Sequence, residues 1–180
     1  MTIVFGCKPF KKHVFDRLRK LLSEGYRRPW KDVHVDSVTE KITFELRHYG
    51  TKQLAGIQVY DWKGEKVRNN EGRYVTHTRK GVSAIFGLEY IDDYSATVFL
   101  VEGVMDAIAI RNLGHQALAL MSNCIPKELA KELALLPNTV AVCDGDGPGR
   151  KLAKYAKRAI HLPSNQDPSS MDRTDLRHLL

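Results

Sequence analysis

The chain has 180 residues, 43% of them hydrophobic, with 28 Lys and Arg against 21 Asp and Glu and a formal net charge of +7. That is enough apolar material for a real core in one compact unit or two small ones, and the basic excess suits a polyanionic partner. Cys7, Cys124 and Cys143 are single and far apart, which excludes a CxxC zinc pair and a disulfide framework and points to reduced thiols in a cytosolic protein. Met1 to Cys7 is too short for a signal-peptide core, no apolar run approaches a membrane span, and no internal repeat stands out.

From Phe10 to Tyr26 the residues Phe10, Val14, Leu18, Leu21 and Leu22 recur at helical spacing, with Lys11, Lys12, Arg17, Arg19 and Lys20 between them, and Gly25 stops the pattern. Arg27, Arg28 and Lys31 around Trp30 extend this basic opening. A charged solvated face accounts for it as well as a stretch laid along single-stranded nucleic acid, where cations meet phosphates and rings meet bases. Strand-like alternation follows over Asp32–Val35, Ile42–Tyr49 and Leu54–Trp62, with Asp61-Trp62-Lys63-Gly64 as a hairpin turn. Arg73-Tyr74-Val75-Thr76, Lys80-Gly81 and Ile85-Phe86-Gly87-Leu88 complete this first, basic half.

Two short apolar runs organise the second half. Thr97–Val101 ends on Glu102-Gly103, and Thr139–Cys143 ends on Asp144-Gly145-Asp146-Gly147-Pro148-Gly149-Arg150. Both runs are β-branched and almost free of polar residues, as strands of a parallel sheet buried on both faces should be. Each leads into a helical pattern: Met105–Leu113, stopped by Gly114, and a third helix carrying Lys151, Lys154, Lys157 and Arg158. Between them lie a strand at Ala117–Met121, a polar step at Ser122-Asn123 and a helix at Pro126–Leu136. Ile160–Pro163 is a last short strand, followed by Gln166-Asp167-Pro168. This alternation predicts right-handed crossovers with helices on both faces of a mostly parallel sheet.

Ligands of open α/β sheets sit outside the carboxyl ends of the strands, so neighbouring strands would bring Glu102, Asp144 and Asp146 into one crevice. Carboxylates held together need protons or cations, and hard divalent ions suit oxygen ligands. Asp106, one turn beyond Glu102, is explained by its helix N-terminus. The seven histidines show no HxxxH or HxE spacing, and no Ser-His-Asp set can be singled out.

Val101-Glu102-Gly103-Val104-Met105-Asp106, followed by the Asp144-Gly145-Asp146 element and Gly149-Arg150, resembles the Toprim domain of bacterial DnaG-type primases, topoisomerases and certain nucleases. The preceding block from Gly56 to Leu88 resembles the small basic subdomain of primases. The resemblance covers roughly Gly56 to the C-terminus. It implies an α/β chain with a basic N-terminal α+β subdomain over residues 1–94 and a Toprim metal-binding domain over 95–180. It further implies a DNA primase core that makes short RNA primers from nucleoside triphosphates on single-stranded DNA, in the cytoplasm of a bacterium or phage-infected host, with no membrane partner. On this match two Mg²⁺ or Mn²⁺ ions would be held by Glu102, Asp144, Asp146 and Asp167, although Gln166 stands where primases carry lysine and an Asp-Pro turn also explains Asp167. Lys80, Arg73, Arg150, Arg79, Arg68 and Lys66 would supply charge to nucleotide or DNA, Arg73 standing where primases usually carry lysine. No zinc-ribbon cysteines accompany the core, so the expectation is a minimal, phage-type enzyme without zinc that works with a separate helicase or zinc-binding module. Two other readings stay open: a Toprim nuclease using the same metals with water as nucleophile, and a non-catalytic DNA-binding recombination or repair mediator.

Overall fold

In a computed structural model the residues described are 30–36, 38–39, 41–61, 74–145 and 149–180. The helical pattern of Phe10–Tyr26, the turn beyond Asp61, and Lys66, Arg68, Arg73 and Asp146 lie outside them.

Alternation over the second strand reads directly as burial. Ile42, Phe44 and Leu46 are fully buried, whereas Lys41 is exposed and Thr43, Glu45 and Arg47 are partly so. The strands β1 (Val33–Asp36), β2 (Lys41–His48), β3 (Leu54–Asp61) and β4 (Tyr74–Thr78) pair antiparallel in that order, and the short β5 (Ala84–Ile85) pairs with β2. Paired positions put Ile42, Tyr60 and Tyr74 in one row and Phe44, Gln58 and Thr76 in the next, on the face that carries the buried side chains of β2. Gly56 is required where β3 meets β4, because a Cβ there would lie 2.4 Å from the His77 carbonyl oxygen.

The second sheet obeys a different rule. Strands β6 (Val98–Val101), β7 (Gln116–Ala119), β8 (Thr139–Cys143) and β9 (Arg158–His161) run parallel in the order β7-β6-β8-β9. Every residue of β6 and β8 is buried, which is what an apolar, β-branched run with helices over it requires. Phe99, Val101, Ala117, Ala119, Val140 and Val142 pack with helix α1 (Val104–Arg111). Leu100, Leu118, Ala141 and Cys143 pack instead with Leu129 and Leu133 of α2 (Lys127–Ala134) and with Leu152. The fold is therefore mixed α/β, with a parallel sheet covered on both faces.

Phe86-Gly87-Leu88 joins the two sheets. Ile85 pairs with Arg47 of β2, and the next residue, Phe86, exchanges two backbone hydrogen bonds of 3.0 Å with Ala119 of β7. Gly87 has φ +104°, and a Cβ there would lie 2.5 Å from the Ala117 carbonyl oxygen, so only glycine fits the crossing without displacement. Arg111, fully buried on α1, stacks its guanidinium on Tyr90 at 4.2 Å and donates to the Tyr90 carbonyl. Arg47 clamps the same region through Asp32 at 3.0 Å and Glu89 at 2.8 Å.

One expectation changes and one element is added. The segment after Asp144 is not a third α-helix through Arg158 but a 3-10 segment, Gly149–Tyr155, and Arg158 already opens β9. The cause is register: Arg158 pairs with Val140, and the Lys157 amide is tied to the Thr139 hydroxyl at 3.0 Å, so the crossover must be short. The C-terminal helix α3 (Arg173–Leu179), which no sequence pattern announced, is capped by Asp172 accepting the Thr174 amide at 2.7 Å and buries Leu176. Among the described residues no helix is long and apolar enough to cross a membrane.

Candidate active site

The adjacent strands β6 and β8 deliver their acidic ends to the same edge, since Val98 pairs with Thr139 and Leu100 with Ala141. Glu102 leaves β6 and Asp144 leaves β8, and both line one cavity of about 340 Å³. Asp106 and Asp167 line it as well, together with Ser169 and, from the antiparallel sheet, Gln58 and Tyr74.

Asp167 comes from a loop folded back over Asp144-Gly145. The Leu162 amide donates to the Cys143 carbonyl at 3.0 Å, and the Gly145 amide donates to the Gln166 carbonyl at 2.9 Å. The approach is so close that a Cβ on Gly145 would fall 1.8 Å from the Pro163 carbonyl oxygen. Beyond this pin, the Asp167 carboxylate accepts the Ser169 hydroxyl at 2.7 Å and the Ser170 amide at 2.8 Å. The Ser169 amide in turn donates to Asp106 Oδ1 at 3.1 Å, which couples Asp167 to Asp106.

Asp106 is the electrostatic centre of the site. It is 7% exposed in the first turn of α1, and its carboxyl is pushed up to about 7, first by burial, then by the charges of Asp167 and Asp144. The hydrogen bonds from Ser169 pull the other way and do not win. Gly103 leaves room for this side chain, since a Cβ there would come within 2.8 Å of Asp106 Oδ2. Among the described residues the lining carries four carboxylates and no Lys or Arg.

That donor set fits Mg²⁺ or Mn²⁺. The ligands are all hard oxygens, and their mutual repulsion is relieved by added positive charge. Among the described residues no three of these groups stand close enough to cage one ion by themselves. Mg²⁺ suits such a site, because it binds through one or two carboxylates, keeps several waters and takes substrate phosphates as further ligands.

The structure thus brings Glu102, Asp144 and Asp167 together around one cavity. Lys80 and Arg79 do not line it. They border a second cavity of about 400 Å³, and Met121, with φ +62°, is a wall of both. Ser122 borders the second cavity too. Arg150 is exposed at the start of the 3-10 segment and lines neither. Asp146, Arg73, Arg68 and Lys66 lie outside the described residues.

Sequence reasoning missed the weight of Asp106 and the contribution of Gln58 and Tyr74. A helix-start aspartate explains itself locally, and only the return loop of Asp167 reveals its second role. The wall residues were readable in principle, because alternation along β3 and β4 places Gln58, Tyr74 and Thr76 in register on the inward face.

Residues 99–174 match the Toprim-like family model. No curated protein matches the chain. Solved structures do. A DnaG catalytic core superposes with a TM-score of 0.57 at 20% identity, covering 77% of this chain and 48% of that one. A DnaG primase catalytic domain bound to single-stranded DNA gives 0.59 at 15% identity, covering 99% and 71%. The RNA polymerase domain of Mycobacterium tuberculosis primase DnaG, in complex with a double-stranded DNA oligomer with a 6-nucleotide overhang, gives 0.58 at 20% identity, covering 95% and 63%. The chain spans about half the length of the first of these. Residues 99–174 are accordingly similar to the Toprim-like family, and the chain shares the α/β fold of DnaG primase catalytic cores.

Proposed function

We propose that this chain is a primase catalytic core, a nucleotidyltransferase that makes short RNA primers from nucleoside triphosphates on single-stranded DNA. The observation that carries the reading is the acidic cavity at the carboxyl ends of β6 and β8, set in a fold shared with DnaG catalytic cores. Glu102, Asp144 and Asp167, with Asp106 behind them and Asp146, which lies outside the described residues, would hold the divalent ions. Bound there, such ions supply positive charge to the nucleotide phosphates and lower the pKa of an attacking hydroxyl. The protein's own residues position and neutralise. Ser169 holds Asp106 and Asp167 in register, the Gly145 pin fixes the Asp167 loop, and Gln58 and Tyr74 line the same cavity as the carboxylates. The attacking group is the substrate's own 3′-hydroxyl, so no protein nucleophile is needed. Lys80 and Arg79, with Arg73, Arg68, Lys66 and Arg150, supply cations for triphosphate or template. The single-stranded DNA held by one DnaG neighbour supports a DNA template here. A helicase or zinc-binding partner and a cytoplasmic location belong to the same proposal.

Incubation with single-stranded DNA, labelled nucleoside triphosphates and Mg²⁺ or Mn²⁺ tests it. Short RNA products that disappear on Asp144→Ala are the expected result. Shortening of the DNA in place of RNA synthesis would assign the cavity to a nuclease, and neither reaction would leave a binding protein.

A further inference from the structure

The cavity beside the acidic one has the opposite character. Its described lining includes Lys80 and Arg79 and no Asp or Glu. Its floor is apolar, formed by Leu120, Ile125 and Leu129, each at least nine-tenths buried. A cationic rim over an apolar floor recognises a ligand with an anionic end and a flat, weakly polar body. At about 400 Å³ the space admits a nucleoside with phosphates at its mouth. Met121 separates it from the carboxylates by one side chain.

Resting on the primase reading, we infer that this second cavity is the subsite of the initiating nucleotide, the ribonucleoside triphosphate that becomes the first residue of the primer. Starting a chain needs two nucleotides side by side. The acidic cavity takes the one whose triphosphate is cleaved, because metal-loaded carboxylates attract phosphates. The cation-rimmed cavity takes the one that keeps its triphosphate. Its 3′-oxygen bonds to the α-phosphorus of the second nucleotide, the α–β phosphoanhydride bond breaks, pyrophosphate leaves and the hydroxyl proton passes to solvent. Lys80 and Arg79 hold the retained triphosphate, and Leu120, Ile125 and Leu129 seat the base.

Cys124 is a built-in probe, since it is exposed and lines this cavity and not the acidic one, while Cys143 is buried. The full chain is treated with iodoacetamide in EDTA, so that no divalent ion holds nucleotide at the carboxylates, and Cys124 labelling is followed by peptide mass spectrometry. GTP or ATP at about ten times its Kd should slow labelling about tenfold, as the free fraction falls by 1 + [L]/Kd. Inorganic triphosphate should protect less, because it has no body for the apolar floor. Labelling unchanged by nucleotide, or slowed only by a single-stranded DNA oligonucleotide, would overturn the assignment. In the priming reaction, alkylated protein should lose dinucleotide formation yet extend a supplied RNA primer, and Cys124→Ser should be insensitive to the reagent; equal loss of both reactions would count against it. Protection without any primer synthesis would remove the primase reading and the initiating role while leaving a nucleotide cavity. Synthesis without protection would remove the cavity assignment alone.

Discussion

The two sheets solve the same packing problem in opposite ways. In the parallel sheet β6 and β8 bury every residue, so nothing along them can touch substrate, and the chemistry is expelled to their carboxyl ends. In the antiparallel sheet burial alternates along β2 and is sparse elsewhere, so the row Gln58, Tyr74, Thr76 and Thr78 on the same face is free to line cavities along its length. One sheet therefore provides a concentrated point of negative charge. The other provides a long neutral wall that ends in cations at Arg79 and Lys80. The proposed reaction between two polyanions would use both.

The sharpest way to break this division is at the acidic end. Asp144→Ala removes a carboxylate at a strand end without touching the buried strand, and primer synthesis should fall by about a hundredfold or more, the equivalent of several kcal/mol of lost charge stabilisation. Circular dichroism and thermal melting should remain those of the parent.

Next come the two close approaches. Gly87→Ala puts a Cβ against the Ala117 carbonyl at a left-handed φ, and Gly145→Ala puts one against Pro163. Both obstacles are backbone, so each variant should lose roughly 2–4 kcal/mol by chemical denaturation. The consequences differ. Gly87→Ala attacks the junction of the sheets, whereas Gly145→Ala displaces the Asp167 loop and should also weaken Mn²⁺ binding.

A pH series sharpens the comparison further. Asp106 has its carboxyl raised in the folded state to about 7 from an ordinary value near 3.8, so between those values the folded chain binds more protons than the unfolded one. The metal-free protein should therefore lose stability as pH rises from about 4 to about 7, by a few kcal/mol in all. Thermal melting from pH 5 to 8 checks this, and Asp106→Asn should flatten the slope. The smallest effect is expected at the cationic end. Lys80→Ala should slow primer synthesis roughly tenfold, the scale of one charge-assisted hydrogen bond, with melting unchanged.

Much of this architecture is legible in the sequence, and the failures have physical causes. Thr97–Val101 and Thr139–Cys143 read as buried parallel strands because burial on both faces leaves a nearly unbroken apolar run. Arg158 reads as helical because a basic, Leu-bearing stretch carries no mark of where a crossover stops; its pairing with Val140 is a tertiary decision. Helix α3 is too short to show a period. At the site, Glu102 and Asp144 announce themselves by lying at strand ends, while Asp106 looks like an ordinary helix-start acid until the loop through Ser169 closes on it. Lys80 carries the expected charge, yet only the fold shows that it borders a different cavity from the carboxylates.

The proposal beneath all of this is that the four carboxylates lining one cavity bind a divalent cation. Calorimetric titration of Mn²⁺ into the metal-free protein near pH 7, in buffers of different ionisation enthalpy, tests it most directly. Binding accompanied by proton release, and lost in Asp144→Ala, is the predicted result, because Asp106, raised to about 7, is about half protonated near pH 7 and an arriving cation displaces that share. Binding of equal strength and proton count in Asp144→Ala would contradict it.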